Sequence, residues 1–574
     1  MAATDGTIVG TTQIVNHGPA AHRFNIVIMA EGYRNTELGQ FAIDVQTIVD
    51  TFRNTIPFCY VWESLNFFRV DISSTDSGAD DPSTCGDGSS GSGTTPRTYF
   101  DASFCTEGLR RALGINDALA LSVAAAQVPS YDFALVLVNS TLYGGLGGSV
   151  AKISRDPSAI LAAIHEMGHT VFHLADEYST WRGCDSGETD HNNHPAAEPT
   201  AVNVTTKPRA GELKWGYYVL QGTTLPTTSN SDCTTCDPQA SPVPVGAVGA
   251  FEGADYYHCG SWRPEFDCRM RNQATEFCRV CKSQVMSLLY FYLPYETRFA
   301  WKGFGADWNI YIGQGLDLDQ SKLSAFGTGN SPALAVYNGT SMAWRGAGGD
   351  QRIWYSNLNA LDGVTWSPQQ AVPNALTSTA PALAPFNGKL YMAWKGAGGD
   401  QSLWFSNRDF GGWSPPAPIP NGGTSSQPAL CAFNNRLVAV WKGISGDQGM
   451  YYSTFDGNGW QPQRNIPGVG TSHYPGLAVF GGRLYMAWKG AGNDLNIYYS
   501  TFDGANWSPS RNIPNVGTSN APSLSASGGT LYMAWVGIPG DPSLYFTVFD
   551  GITWRPQNNY FGVGSSAAPA VLVH

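Results

Sequence analysis

A tryptophan recurs through the second half of this 574-residue sequence, at positions 301, 344, 394, 441, 488 and 535, with intervals of 43, 50, 47, 47 and 47 residues. Each sits in a variant of the phrase Met392-Ala-Trp-Lys-Gly-Ala-Gly-Gly-Asp400. Pro381-Ala-Leu-Ala384 leads through Asn387-Gly388 to Leu390–Trp394, and a Gly-rich turn ending at Asp400 leads on to Ser402–Ser406. Short alternating runs joined by Asn-Gly, Gly-Gly and Gly-Asp pairs read as β-hairpins, because those pairs supply the positive φ of tight turns. A period near 47 residues with three or four short strands per unit fits propeller blades and not helical solenoids. The two ends of the array are complementary. Ser565–Leu572 matches the opening strand of a unit with no second strand after it, while Arg298–Trp301 matches a second strand with no first. Joining them completes a mixed blade and removes an open edge. Residues 296–574 are therefore expected to form an all-β, six-bladed propeller.

A tryptophan present in every blade is expected in the core between blades, and a turn aspartate is expected to cap its own backbone. In repeat style, residues 298–574 resemble the tandem-repeat propeller lectins of bacteria and fungi. That resemblance implies a glycan as a ligand of the propeller.

Residues 1–295 show no repeat. Phe24–Met29, Asn66–Asp71 and Phe133–Val138 read as strands, and residues 36–53 as an amphipathic helix. Residues 74–97 and 222–248 are long polar loops. Strands alternating with helices imply an α/β sheet domain. Ten of the eleven cysteines precede residue 282, the exception being Cys431. In loop-rich sequence, an even set of this kind reads as a disulfide framework made outside the cytoplasm, and the protein is expected to be secreted. The competing reading is a structural zinc shared by Cys233, Cys236, Cys278 and Cys281. The net charge of −12 disfavours nucleic acid and anionic membranes as partners. No apolar run reaches the length of a membrane span. Met1–Gly10 lacks the basic head and apolar stretch of a signal peptide, so the expected export rests on the cysteines alone.

The chemistry is expected at His165-Glu166-Met167-Gly168-His169. Asp156 can cap a helix here, Pro157 suits its first turn, and Ile160, Leu161, Ile164 and Val171 supply an apolar face. Histidines four apart lie on one helix face and can reach the same metal ion, and the glutamate beside the first can take a proton from a metal-bound water. Catalytic zinc uses three protein ligands and leaves one position open. His173 continues the spacing, but on a continuous helix it would lie about 12 Å along the axis from residue 165. Two ligands of one zinc can be only about 4 Å apart. The third ligand must then follow a turn, where Asp176 and Glu177 are nearest and Asp176 is preferred.

His165–His169 followed by Leu174-Ala-Asp176-Glu177-Tyr178 resembles the HExxHxxxxLxDEY signature of the IgA-peptidase-like zinc metallopeptidases. Met29–Tyr33, Val138-Asn139, Tyr143–Gly145, Glu198-Pro199, Asn203–Thr205, Phe251–Gly253, Arg263-Pro264, Cys268–Arg271 and Phe277–Cys281 extend the resemblance in order over residues 20–290. The resemblance implies a metzincin-like zinc endopeptidase with His165, His169 and Asp176 as metal ligands. It also makes Glu166 the general base and Met270 the methionine of a turn beneath the metal. The family tends to have glycine where His173 stands, which would ease the chain reversal after the helix.

Tyr178, Tyr256 and Tyr257 are candidates for the donor that stabilises the oxyanion. Gly147–Ala151 is either an edge strand for an extended substrate or a Gly-rich turn. Asp185, Asp190, Asn192 and Asn193 form a candidate calcium loop. Asn139, Asn203, Asn338 and Asn506 each begin an N-x-Ser/Thr triplet. The expected function is a secreted zinc endopeptidase directed to protein or glycoprotein substrates by its propeller. The alternatives are a glycan-binding lectin with a non-proteolytic zinc domain, and another zinc hydrolase such as a deacetylase.

Overall fold

The computed structural model describes residues 5–180, 191–236, 239–316, 319–359, 363–409 and 411–574. The chain forms two compact units, Met1–Pro294 and Tyr295–His574.

The first unit is built on a six-stranded mixed sheet of β1 (Gly6–Val15), β2 (Phe24–Glu31), β3 (Leu65–Ser74), β4 (Phe133–Val138), β5 (Gly145–Leu146) and β6 (Ala151–Ser154), in the spatial order β1-β3-β2-β4-β6-β5. Strands β3, β2, β4 and β6 run parallel, while β1 and β5 lie antiparallel at the two edges. Every residue of β2, β4 and β6 is buried. The apolar runs Ile26–Ala30 of β2 and Phe133–Val138 of β4 are what a parallel strand covered on both faces requires. Helix α1 (Leu38–Asn54) buries Phe41, Val45, Ile48, Val49 and Phe52, an i, i+4, i+7, i+8, i+11 stripe. Helix α2 spans Asp117–Gln127. Glu31 ends β2 inside the protein, where it accepts hydrogen bonds from Thr98 Oγ1 (2.6 Å) and the backbone N–H groups of Phe100 and Ala102 (2.9 Å each). One carboxylate thereby holds the loop that crosses the top of the sheet.

Helix α3 (Pro157–Thr170) follows β6. Asp156 caps it by accepting from Ser158 N at 2.8 Å, and Pro157 occupies the first turn, where its missing N–H costs nothing. Ala159, Ala162 and Ala163 are buried, and such small side chains let the helix lie close on the sheet. Beyond it come a hairpin of β7 (Phe251–Ala254) and β8 (Tyr257–Arg263), then helix α4 (Arg279–Tyr290).

The cysteines depart from the expected framework. Cys85–Cys105 and Cys233–Cys259 are disulfide-bonded, so Cys233 is not available to a zinc shared with Cys278 and Cys281. Cys59, Cys268, Cys278 and Cys281 are outside any disulfide. The last three gather in the interior, Cys278 and Cys281 at the start of α4 and Cys268 in the irregular segment before it, which spacing alone does not reveal. Cys184 and the calcium-loop residues Asp185 and Asp190 lie outside the described residues. Asn203, read as a possible glycosylation acceptor, is fully buried and its side chain is engaged, which precludes that role in the folded chain.

The second unit is a ring of six sheets, five of them contiguous in sequence. The sixth combines Asp319–Gly327, Asn309–Gln314 and Thr297–Lys302 with Ala570–Val573, paired as Ala570↔Ala300 through Val573↔Thr297. The expected closure is therefore present. The opening strands of the blades surround a central cavity of about 120 Å³. All six repeated tryptophans are buried. Trp441 shares a core cluster with Leu403 and Ile419 of the preceding blade, and Trp394 does likewise with Ala335, Ala343 and Ile353. The repeated aspartates are also used internally. Asp400 accepts from Ser402 N (2.8 Å) and Trp404 Nε1 (3.0 Å), and Asp447 accepts from Gly449 N (2.8 Å) and Tyr451 OH (2.9 Å). A Cβ on Gly396 would lie 2.0 Å from Asp400, so the glycine before each such turn makes room for the aspartate. Lys395 donates to Asp400 O and Ser378 Oγ. The recurring phrase thus serves the fold.

Candidate metal centre

His165 and His169 project from the same face of α3, one turn apart. His165 Nδ1 lies 3.0 Å from Arg269 O, and His169 Nδ1 lies 2.8 Å from Leu174 O. A proton on each Nδ1 satisfies those carbonyls and leaves each Nε2 with a lone pair, the usual way a second partner fixes a ligating tautomer. The two Nε2 atoms are 3.1 Å apart, and Asp176 Oδ1 lies 3.1 Å from one and 3.2 Å from the other. Asp176 Oδ1 is buried and has no hydrogen-bond partner. Three acceptor atoms facing one another without a donor are what a cation would join. A triangle with these sides has its corners about 1.8 Å from its centre. One zinc ion, with bonds of about 2.0–2.1 Å, would be held by His165, His169 and Asp176 together.

The turn that delivers Asp176 depends on His173. Leu174 N donates to Gly168 O at 3.0 Å, closing the helix end, and His173 adopts φ 54° to make the reversal. His173 is thus an exposed, left-handed residue at the reversal, where a glycine would be unstrained. Asn203 clamps the segment beyond: its Oδ1 accepts from Ala175 N (2.9 Å), and its Nδ2 donates to Ala175 O (2.8 Å) and Glu177 Oε1 (2.9 Å). Glu177 itself turns into a separate buried group with Cys268, Cys278 and Cys281. Met270 lies under α3. A Cβ on Gly168 would be 2.7 Å from Met270 Sδ, so this helix position has no room for a side chain.

Burial favours a neutral His169, but the Asp176 carboxylate outweighs it and pushes the imidazole up to about 9. His165 moves in the same direction for the same reasons. Burial would raise Asp176, yet the two imidazoles hold its carboxyl well below the ordinary range. Burial pushes Glu166 up, against the pull of both histidines and of Arg111. Glu166 faces the Gly147 backbone so closely that a Cβ there would come within 2.2 Å of its Oε2. Lys152 Nζ donates to Gly147 O (3.2 Å) and Asp117 Oδ2 (2.9 Å), and Thr170 Oγ1 donates to Gly148 O (2.9 Å). The edge strand is β5, Gly145–Leu146, with residues 147–150 bending away after it.

Of the three tyrosines, Tyr256 donates to Asp176 Oδ2 and Tyr178 packs edge-on against it, centroids 5.2 Å apart. Tyr257 packs against His194 (4.7 Å) and His191 (5.2 Å). Asp255 (φ 53°) and Tyr256 (φ 68°) form the two-residue turn between β7 and β8, tied down by Asp255 N to Asp176 O (2.9 Å) and Tyr256 N to Tyr178 O (3.0 Å). Two non-glycine residues in that conformation cost about 1–3 kcal/mol each, a strain held in place beside Asp176. Arg111, Asn203 and Arg269, whose carbonyl orients His165, had no role at the metal centre assigned from sequence. Asn203 and Arg269 lie in segments that carry the resemblance, but neither a buried amide clamp nor a backbone carbonyl is legible as a role from residue type.

The profile of the IgA Peptidase M64 family matches residues 12–241 and 235–289, which include β2 to β6, α3 and the cluster of His165, His169 and Asp176. The first unit is thus a metallopeptidase, a hydrolase of peptide bonds. No curated protein matches the chain in sequence. Among solved structures, AofleA from Arthrobotrys oligospora is 12% identical at a TM-score of 0.35, covering 48% of this chain and 89% of its own. The Aleuria aurantia lectin, described as a six-bladed β-propeller with a fucose recognition mode, is 16% identical at a TM-score of 0.35, covering 47% and 96%. Among the described residues no helix is long and apolar enough to cross a membrane.

Proposed function

We propose that the metallopeptidase carried by residues 12–289 is a secreted zinc endopeptidase, with His165, His169 and Asp176 as its metal ligands. The observation that carries this is the triangle of His165 Nε2, His169 Nε2 and Asp176 Oδ1, with sides of 3.1–3.2 Å. Two imidazoles and a carboxylate are ligands that suit zinc. Zinc held there supplies a Lewis acid for the scissile carbonyl and lowers the pKa of a water to about 7. Glu166, next to the first ligand and buried, accepts the proton of the attacking water on its carboxylate and passes it to the leaving nitrogen. Asn203 and the His173 turn keep Asp176 on the two imidazoles. Tyr256 is the preferred oxyanion donor, with Tyr178 behind it, because its hydroxyl already reaches Asp176. The propeller holds the enzyme to glycoprotein substrates. The disulfides support assembly outside the cytoplasm.

Incubation with casein, with and without a chelator, tests the reading. Activity should vanish with zinc, return on its addition, and fall by at least about a hundredfold in Glu166→Ala. Cleavage that survives both treatments would overturn the mechanism. A glycan array that stays blank would remove the targeting role from the propeller.

A further inference from the structure

A second group of ligands lies within the first unit. Cys268, Cys278, Cys281 and Glu177 are all buried, and one potential ligand atom from each lies within 4.8 Å of every other. Cys268 Sγ is 3.8 Å from Cys281 Sγ, while Glu177 Oε1 is 3.6 Å from Cys278 Sγ and 3.3 Å from Cys281 Sγ. In a tetrahedron with zinc–sulfur bonds of about 2.3 Å and a zinc–oxygen bond of about 2.0–2.2 Å, neighbouring sulfurs stand about 3.8 Å apart and sulfur and oxygen about 3.5 Å. The measured separations match those edges.

The surroundings favour anionic sulfur. Cys278 N donates to Cys268 Sγ at 3.1 Å and Cys281 N to Cys278 Sγ at 3.4 Å. Cys278 is the N-cap of α4, so the positive end of the helix dipole points into the group. Glu177 Oε2 is buried without a partner, and an ionisable carboxyl left so among three sulfurs is costly unless a cation joins them. A disulfide cannot account for the set, since three sulfurs make at most one and would leave a thiol and Glu177 behind. A compartment able to join Cys85 to Cys105 would also oxidise three touching thiols unless something held them.

We propose that these four side chains bind a second, structural zinc ion, closed to solvent and distinct from the one at His165 and His169. Its role follows from the neighbours of its ligands. Glu177 adjoins Asp176. Cys268 adjoins Arg269, whose carbonyl orients His165, and lies two residues before Met270, whose own carbonyl accepts from Glu177 N at 2.8 Å. One ion therefore ties the loop carrying the third catalytic ligand to the turn beneath α3 and to the start of α4. Three thiolates and a carboxylate exceed the charge of one zinc, and the buried guanidinium of Arg263 acts on both Glu177 and Cys268.

The test uses the full chain carrying His165→Ala and His169→Ala, which removes the first site and leaves this one intact. Elemental analysis should find two zinc ions in the parent and one in the variant. X-ray absorption of the variant should show sulfur at about 2.3 Å, and its cobalt form an intense near-ultraviolet sulfur-to-metal band. Adding Cys278→Ser should weaken or abolish that band. A variant that is folded yet holds no metal, or holds it through nitrogen and oxygen alone, overturns the proposal. A mapped disulfide between any two of the three cysteines does the same. Failure of the catalytic reading looks different: parent and variant would then hold the same single, sulfur-bound ion.

Discussion

The Gly147 backbone lies close against Glu166, which sets up a selective perturbation. A Cβ at residue 147 would stand 2.2 Å from Glu166 Oε2, where an ordinary contact begins near 3.4 Å. The carboxylate must therefore move by about 1.2 Å in Gly147→Ala. Glu166 can yield at its flexible end, so the cost in stability should stay below about 1 kcal/mol, less than for overpacking against backbone. Catalysis is less forgiving, because a displacement of about 1 Å at a proton-transferring group costs up to about a hundredfold. We expect kcat to fall about ten- to a hundredfold, equivalent to about 1.4–2.7 kcal/mol in the barrier. KM, zinc content and melting temperature should change little. Steady-state kinetics on a quenched peptide, with elemental analysis and calorimetry on the same preparation, make the comparison. A kcat within twofold of the parent, with zinc retained, would refute the view that Glu166 must sit where it does.

Three further outcomes can be checked. In the metal-free protein the Asp176 carboxylate, against the effect of burial, pushes His169 up to about 9. Zinc needs the neutral ring, so a proton must leave below that pH, and apparent zinc affinity should drop about tenfold per unit from pH 9 to 6 in chelator competition; a flat profile would contradict the site. His173→Gly should stabilise the peptidase unit by about 0.5–1 kcal/mol with activity retained, because a side chain at φ 54° is strained; a lower melting temperature would show that the turn is set otherwise. Trp441→Ala should cost about 3–5 kcal/mol and lower the propeller's unfolding transition, since the indole fills the seam between two blades; an unchanged transition would deny it that role.

The parts readable in the sequence were those written in a period. The 47-residue spacing, the complementary half-units at Arg298 and Ala570, and two histidines four apart each follow from a repeating geometry of strand or helix. What escaped was made by contacts distant in sequence or by backbone conformation. Tyr256 reaches Asp176 because a hairpin turn uses two non-glycine residues at positive φ, and nothing in Asp255-Tyr256 announces that. Glu177 and Asp176 are neighbours competing for one assignment in the sequence, yet the chain directs them to different groups. The cysteines misled because spacing counts them without saying which are interior. Cys268 and Cys281 are 13 residues apart and nearly touch, whereas Cys233, grouped with them by its Cys-x-x-Cys pattern, bonds to Cys259.

The sheet that begins the propeller takes its last strand from residues 570–573. On the ribosome, that first sheet must wait with a bare flank while about 245 further residues, Thr328 to Val573, emerge, exposing backbone that could recruit another copy of the same chain. Closure is thus a late event, and anything that blocks those four residues would leave the circle unclasped although every other blade had been made.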